Sequence, residues 1–199
     1  MESCGSARSL ATAGTHAAPI RAILGPGEET CVPMSEYMRK VRAGVGDLLI
    51  EIPSVCVLCF DERDRVVLVR HAEVDLWTTP GGGIEPQELP ADAAVREMWE
   101  ETGLVVELSR VIGVYGGPEF TTRYRNGDRV SFAMTVFLAR RIGGTLRPDG
   151  VETLEVAAFA REEIAGLPMQ AWAPRGGYDA FDHRDAVHFD PPRWRPPEG

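Results

Sequence analysis

The apolar residues of this chain change their spacing several times, and each change marks an element. Met34, Tyr37, Met38 and Val41 fall at helical spacing ahead of Gly44 and Gly46, which predicts a short helix within residues 33–47. SVCVLCF and VVLVRHA are β-branched apolar runs on either side of the polar stretch DERDR, and predict a hairpin. From Pro90 to Thr102 the period becomes helical again: Ala91, Ala94, Val95 and Met98 recur at three- and four-residue steps as the expected buried stripe. Pro90 suits the first turn of that helix and Gly103 the position just past its end. LVVELSRVIGVYGG predicts a strand pair or one bent strand. In RYRNGDRV, Asn126 and Gly127 sit where a tight turn needs positive backbone angles, so TTRYR and RVSFAMTVFLARR are expected to pair. TLEVAAFA is a further strand and REEIAGL a short helix. Strands around one central helix predict a mixed α/β core.

The flanks read differently. Residues 1–32 are rich in Ala, Gly, Ser and Thr without sustained period and predict a loose extension, and residues 171–199, ending PPRWRPPEG, predict an irregular Pro-rich tail. Residues 48–170 are the expected domain. With 199 residues, 44% of them hydrophobic, the chain suits one core with extensions rather than two domains. A net charge of −9 with no run of Lys or Arg argues against nucleic acid or an anionic membrane as partner. The start lacks a signal-peptide layout and no segment approaches a membrane span, so a cytoplasmic location is expected. Cys56 and Cys59 have the C-x-x-C spacing of redox and zinc motifs, but on a strand they point to opposite faces and read as two core thiols. His183 and His188 fall in the tail and are expected at the surface rather than as ligands.

One stretch breaks the rules of a stable helix. Glu97, Glu100 and Glu101 cluster near the helix C-terminus, where like charges cost about 0.2–0.5 kcal/mol per pair and oppose the macrodipole. Arg96 is the sole local offset. A solvated acidic face is the usual meaning of such a run. Against it stands the preceding Pro80-Gly81-Gly82-Gly83, since three glycines suit a chain passing close to a ligand. Backbone carbonyls beside clustered carboxylates make an all-oxygen site, which hard cations such as Mg²⁺ or Mn²⁺ prefer.

Gly82, Glu88, Arg96, Glu97, Met98, Glu100, Glu101, Gly103 and Leu104 match every specified position of the Nudix box, G-x5-E-x7-R-E-U-x-E-E-x-G-U, and the chain resembles Nudix hydrolases over most of residues 50–167. It departs from related boxes at Gln87, where glycine is common, at Leu89, where a capping Thr or Ser is common, and at Thr79, where a bulky aliphatic is usual. The resemblance implies a Nudix α-β-α sandwich with a mixed sheet in a single domain. It implies hydrolysis of a nucleoside diphosphate linked to a group X, dependent on Mg²⁺ or Mn²⁺. Glu97 and Glu101 would be the main metal ligands, assisted by Glu100 and the Gly82 carbonyl. Arg96 would orient the carboxylates, and Glu88 would support the loop. Glu152 is the foremost candidate for proton acceptor outside the box, with Glu155 and Glu119 behind it. Arg70, Trp77 and Phe120 are the expected substrate contacts, and Tyr115 and Tyr124 are further stacking candidates. ADP-ribose, NDP-sugars, dinucleoside polyphosphates and non-canonical nucleoside triphosphates are all handled on this fold. A small-molecule nucleotide is therefore the expected partner; a homodimer is left open, and so is a non-catalytic nucleotide sensor.

Overall fold

The structure, a computed structural model, describes residues 34–124, 126–170, 181–182 and 184–197. The expected N-terminal extension, residues 171–180 and His183 lie outside these. Helix α1 (Glu36–Val45) opens the described chain, with Ser35 Oγ accepting the Met38 N–H as its cap. Nine strands follow among the described residues: β1 (Ile50–Phe60), β2 (Val66–His71), β3 (Leu76–Thr78), β4 (Gly81–Gly83), β5 (Leu104–Tyr115), β6 (Thr121–Arg123), β7 (Arg129–Gly144), β8 (Thr153–Phe159) and β9 (His188–Phe189). Helix α2 (Pro90–Thr102) lies between β4 and β5, and the one-turn helix α3 (Arg161–Ile164) follows β8.

The main path of the sheet runs β3-β2-β1-β7-β5-β9, with β4 on β1, β6 on β7 and β8 on β2. It is mixed, since β1 and β7 run parallel while most other pairs are antiparallel. Alternation along β1 divides the core in two. Val55, Val57 and Cys59 pack with Ala93, Ala94 and Met98 of α2, while Cys56 and Leu58 pack on the other face with Trp77, Phe120 and Ile164 of α3. The two thiols thus face opposite ways, as expected, and burial raises them to about 12 and about 11, which keeps them inert.

Three readings are corrected. The buried stripe of α2 is Ala93, Ala94, Glu97, Met98, Glu101 and Thr102, while Val95 is 37% exposed and Ala91 is also exposed. The helix is rotated from its most apolar orientation, and two glutamates take core-facing positions. In the hairpin, the Gly127 N–H bonds the Tyr124 carbonyl and the Tyr124 N–H bonds Asp128, so the positive φ of 91° falls on Gly127 alone of the Asn126–Gly127 pair. The loop is longer by one residue than a two-residue turn. The tail is not wholly irregular: β9 adds in parallel to β5, and the half-buried His188 stacks on Tyr115 with centroids 5.3 Å apart. LVVELSRVIGVYGG resolves into one strand, bent by three register shifts against β7.

Candidate active site

Strand β4 consists of the three glycines, and its register on β1 sets Gly83, Gly82 and Gly81 opposite Ser54, Val55 and Cys56. Two of them are required for different reasons. A Cβ on Gly81 would lie 2.1 Å from the Val55 carbonyl oxygen, which is backbone and cannot yield. A Cβ on Gly82 would lie 2.4 Å from Glu97 Oε1, a side chain. Gly81 therefore lets the strand lie on the sheet, and Gly82 makes room for the glutamate. The helix boundaries follow the sequence: Pro90 stands in the first turn and Gly103 ends α2 at φ 70°. The departures have local consequences, since Leu89 gives no side-chain cap and Gln87 adopts φ 69°, the left-handed conformation in which glycine is at ease.

Arg96 organises the carboxylates. Its Nε and Nη2 reach Glu88 at 2.8 and 2.9 Å, its Nη1 reaches Glu97 at 2.7 Å and Glu100 at 3.0 Å, and Nη2 also touches the Gly83 carbonyl at 3.2 Å. Glu88 in turn accepts the Glu85 N–H and is held below its usual carboxylate range, chiefly by Arg96. Glu101 is different. It is 4% exposed, accepts the Gly81 N–H at 2.8 Å, and is raised well above the ordinary range by burial and then by Glu97. Glu97, 9% exposed, is raised by burial despite Arg96. Glu152, outside the helix, is pushed up to about 7 by burial, then by Glu97 and Asp149.

Among the described residues no three acidic, His or Cys side chains form a ready-made cation cage, and Arg96 bridges Glu97 and Glu100. The donor set nevertheless fits a hard divalent cation. It is all oxygen, all three carboxyls are desolvated, and Glu97 disfavours ionisation of Glu101 and Glu152 while Glu152 disfavours that of Glu101, a repulsion a bound cation reverses.

These groups line one cavity of about 1020 Å³. Gly82, Arg96, Glu97, Glu100, Glu101 and Glu152 stand together on its wall, and α1, β7 and the residue just after β6 supply an apolar side with Met38, Val41, Phe132 and Tyr124. The expected substrate contacts are not on it. Arg70 is drawn to Asp75 and Glu155, both at 2.5 Å. Trp77 is 7% exposed and meets Phe159 edge-on, and Phe120 is 1% exposed in the same core cluster as Tyr115. Glu155 and Glu119 are likewise absent from the lining, which leaves Glu152 as the acidic residue of that later region facing the box. The sequence reading missed His71, Asn126 and Asp128, which do line the cavity. The signal for His71 was present, since neighbours on a strand face opposite sides and Arg70 faces the wrong one.

The family model for the NUDIX domain matches residues 51–181. The chain belongs to the NUDIX domain family. A Bacillus subtilis (strain 168) protein provisionally named as an 8-oxo-dGTP diphosphatase is 37% identical over 97 residues, which are 49% of this chain and 58% of that one. Human diphosphoinositol polyphosphate phosphohydrolase 2 is 46% identical over 61 residues, 29% of this chain and 34% of its own length. This chain thus spans a third to somewhat over half of the curated relatives it matches. An ADP-ribose pyrophosphatase structure from Streptococcus suis 89-1591 superposes with a TM-score of 0.55 at 23% identity, over 70% of this chain and 96% of that one, and shares the fold. No helix among the described residues is long and apolar enough to cross a membrane.

Two results are expected from this NUDIX site. Gly82→Ala, measured by Mn²⁺ titration, should weaken metal binding roughly 10- to 100-fold by displacing Glu97, with the melting temperature little changed. Gly81→Ala should instead lower the melting temperature. The second concerns pH. A carboxyl raised in the folded state stabilises the fold fully below its ordinary value and loses that contribution as pH rises through the folded one. For Glu152 the window runs from 4.5 to about 7. In chelator, Glu152→Gln should therefore melt progressively higher than the wild type from pH 5 to pH 8. Scanning calorimetry on both proteins checks this; a constant difference would remove the assigned burial of Glu152.

Proposed function

We infer that this NUDIX domain hydrolyses a pyrophosphate bond in a nucleoside diphosphate linked to another group X, of the ADP-ribose or NDP-sugar kind, with Mg²⁺ or Mn²⁺. The observation that carries this reading is the convergence of Glu97, seated against Gly82, and Glu101, held by the Gly81 N–H, with Glu152 on one cavity wall. The cavity is large enough for a nucleotide with a second group attached. Its apolar side offers Tyr124 and Phe132 to a base.

In this reading Glu97 and Glu101, assisted by Glu100 and the Gly82 carbonyl, hold the cation. When bound, it supplies neutralisation of the phosphate oxygens and acidification of a water. Arg96 holds Glu97 and Glu100 and is itself fixed by Glu88. Glu152 takes the proton of the water that attacks phosphorus in line, and a value near 7 suits that exchange.

A non-canonical nucleoside triphosphate is the second reading, favoured by the name of the B. subtilis relative. The discriminating experiment is product release from ADP-ribose, NDP-sugars, diadenosine polyphosphates and 8-oxo-dGTP, each with Mg²⁺, Mn²⁺ and chelator. Metal-dependent cleavage is expected, fastest for the first two. Preference for 8-oxo-dGTP would favour the second reading. A nucleotide-induced rise in melting temperature without cleavage would turn the site into a sensor.

A further inference from the structure

A diphosphate entering this cavity meets mostly acidic and apolar side chains. Among the described residues, three Lys, Arg or His side chains line it: Arg42, His71 and Arg96. Arg96 is engaged by Glu88, Glu97, Glu100 and the Gly83 carbonyl. Arg42 fastens α1 to the sheet. Its Nη1 donates to the Gly46 and Leu48 carbonyls at 3.0 and 2.7 Å, its Nη2 to the Arg129 carbonyl at 2.8 Å, and its Nε lies 3.4 Å from Asp128. Of these three, His71 is the one whose side chain is not committed.

Its surroundings also fix what it offers. The Glu73 N–H donates to His71 Nδ1 at 3.2 Å, so the neutral ring carries its proton on Nε2. Among the described residues Nε2 has no hydrogen-bond partner. Burial holds the imidazole below its usual range, which favours this neutral form. The Ala72 N–H donates to the Glu152 carbonyl at 2.8 Å, and His71 pairs with Thr153 across the β2–β8 bulge, so the ring stands beside the Glu152 loop. A neutral donor there suits a cavity that also holds a cation, because it grips an anionic oxygen without repelling the ion.

We propose that His71 is a substrate-binding residue of this site, donating its Nε2–H to a non-bridging oxygen of the substrate's diphosphate. This rests on the hydrolase reading above and adds a protein-borne contact that Arg70 does not make.

The test uses the full chain, Mg²⁺ and α,β-methylene-ADP, a diphosphate that resists cleavage. Ring ¹⁵N spectra of the wild type should show Nδ1 unprotonated and Nε2 protonated for one histidine, assigned by its loss in His71→Gln, and the Nε2 signal should move on adding the analogue. His71→Leu should raise the dissociation constant roughly 10- to 100-fold. His71→Gln, whose amide N–H₂ reaches a similar point, should stay within about threefold of the wild type. An analogue that binds the wild type and folded His71→Leu equally, or that leaves the ring signal still, overturns the proposal while leaving the hydrolase reading in place. The wild-type spectrum decides the matter even where His71→Leu fails to fold. A wild type that neither binds the analogue nor cleaves any member of the substrate panel brings down both.

Discussion

Replacing Glu101 with Gln is expected to abolish turnover while stabilising the metal-free protein. The carboxylate is 4% exposed, faces Glu97, and has the Gly81 N–H as its hydrogen-bond partner. Its ionised form is therefore unfavourable in the folded chain until a cation compensates it. An amide keeps the shape and still accepts the Gly81 N–H, so circular dichroism should be unchanged. At pH 8 in chelator the melting temperature should rise, since the unfavourable charge is gone. Activity should fall by roughly 10³-fold, the rate equivalent of about 4 kcal/mol of lost metal-borne stabilisation. The opposite signs of the two effects set a metal ligand apart from a structural residue, whose loss would lower both. Normal turnover in this variant would remove the proposed site.

Glu152→Gln is expected to lower kcat by roughly 10²- to 10⁴-fold with little change in KM, as loss of a general base does. The pH profile provides the sharper check. A base acts deprotonated, so the wild-type rate should rise with pH. The midpoint should lie at or below about 7, because a cation beside Glu152 lowers the value it has without one. That rising limb should be absent from the residual activity of Glu152→Gln. Glu155→Gln is the control: Glu155 is paired with Arg70 and does not line the cavity, so its loss should leave the profile unaltered. An intact limb in Glu152→Gln would pass the role to a glutamate of the box.

The contrast between these residues shows how far the sequence could be read. Elements were legible where one period dominated, as in β1, whose alternation placed Cys56 and Cys59 on opposite faces. The box residues were legible because their spacing is fixed within one loop and one helix, so nothing distant could move them. The face of α2 was not. Its apolar residues favoured a stripe through Ala91 and Val95, but the glycine strand lies on β1 and draws Glu97 and Glu101 inward, leaving Val95 exposed. Local amphipathicity yields there to the needs of the site. Substrate contacts were the least legible, because they depend on which of two adjacent strand residues faces inward. Arg70 carries the more obvious charge, yet it turns to Asp75 and Glu155 while His71 lines the cavity. Similarly, β9 needs only two residues to join the sheet, too few to leave a period.

The proposed cation site between α2 and the glycine strand is tested most directly by Mn²⁺ binding, followed by the electron paramagnetic resonance of the free ion in titrations of wild type, Glu97→Gln and Glu101→Gln. The wild type should take up Mn²⁺ with displacement by Mg²⁺, and each variant should bind at least about tenfold more weakly. Equal uptake by all three folded proteins would place the ion elsewhere and contradict the assignment of this site.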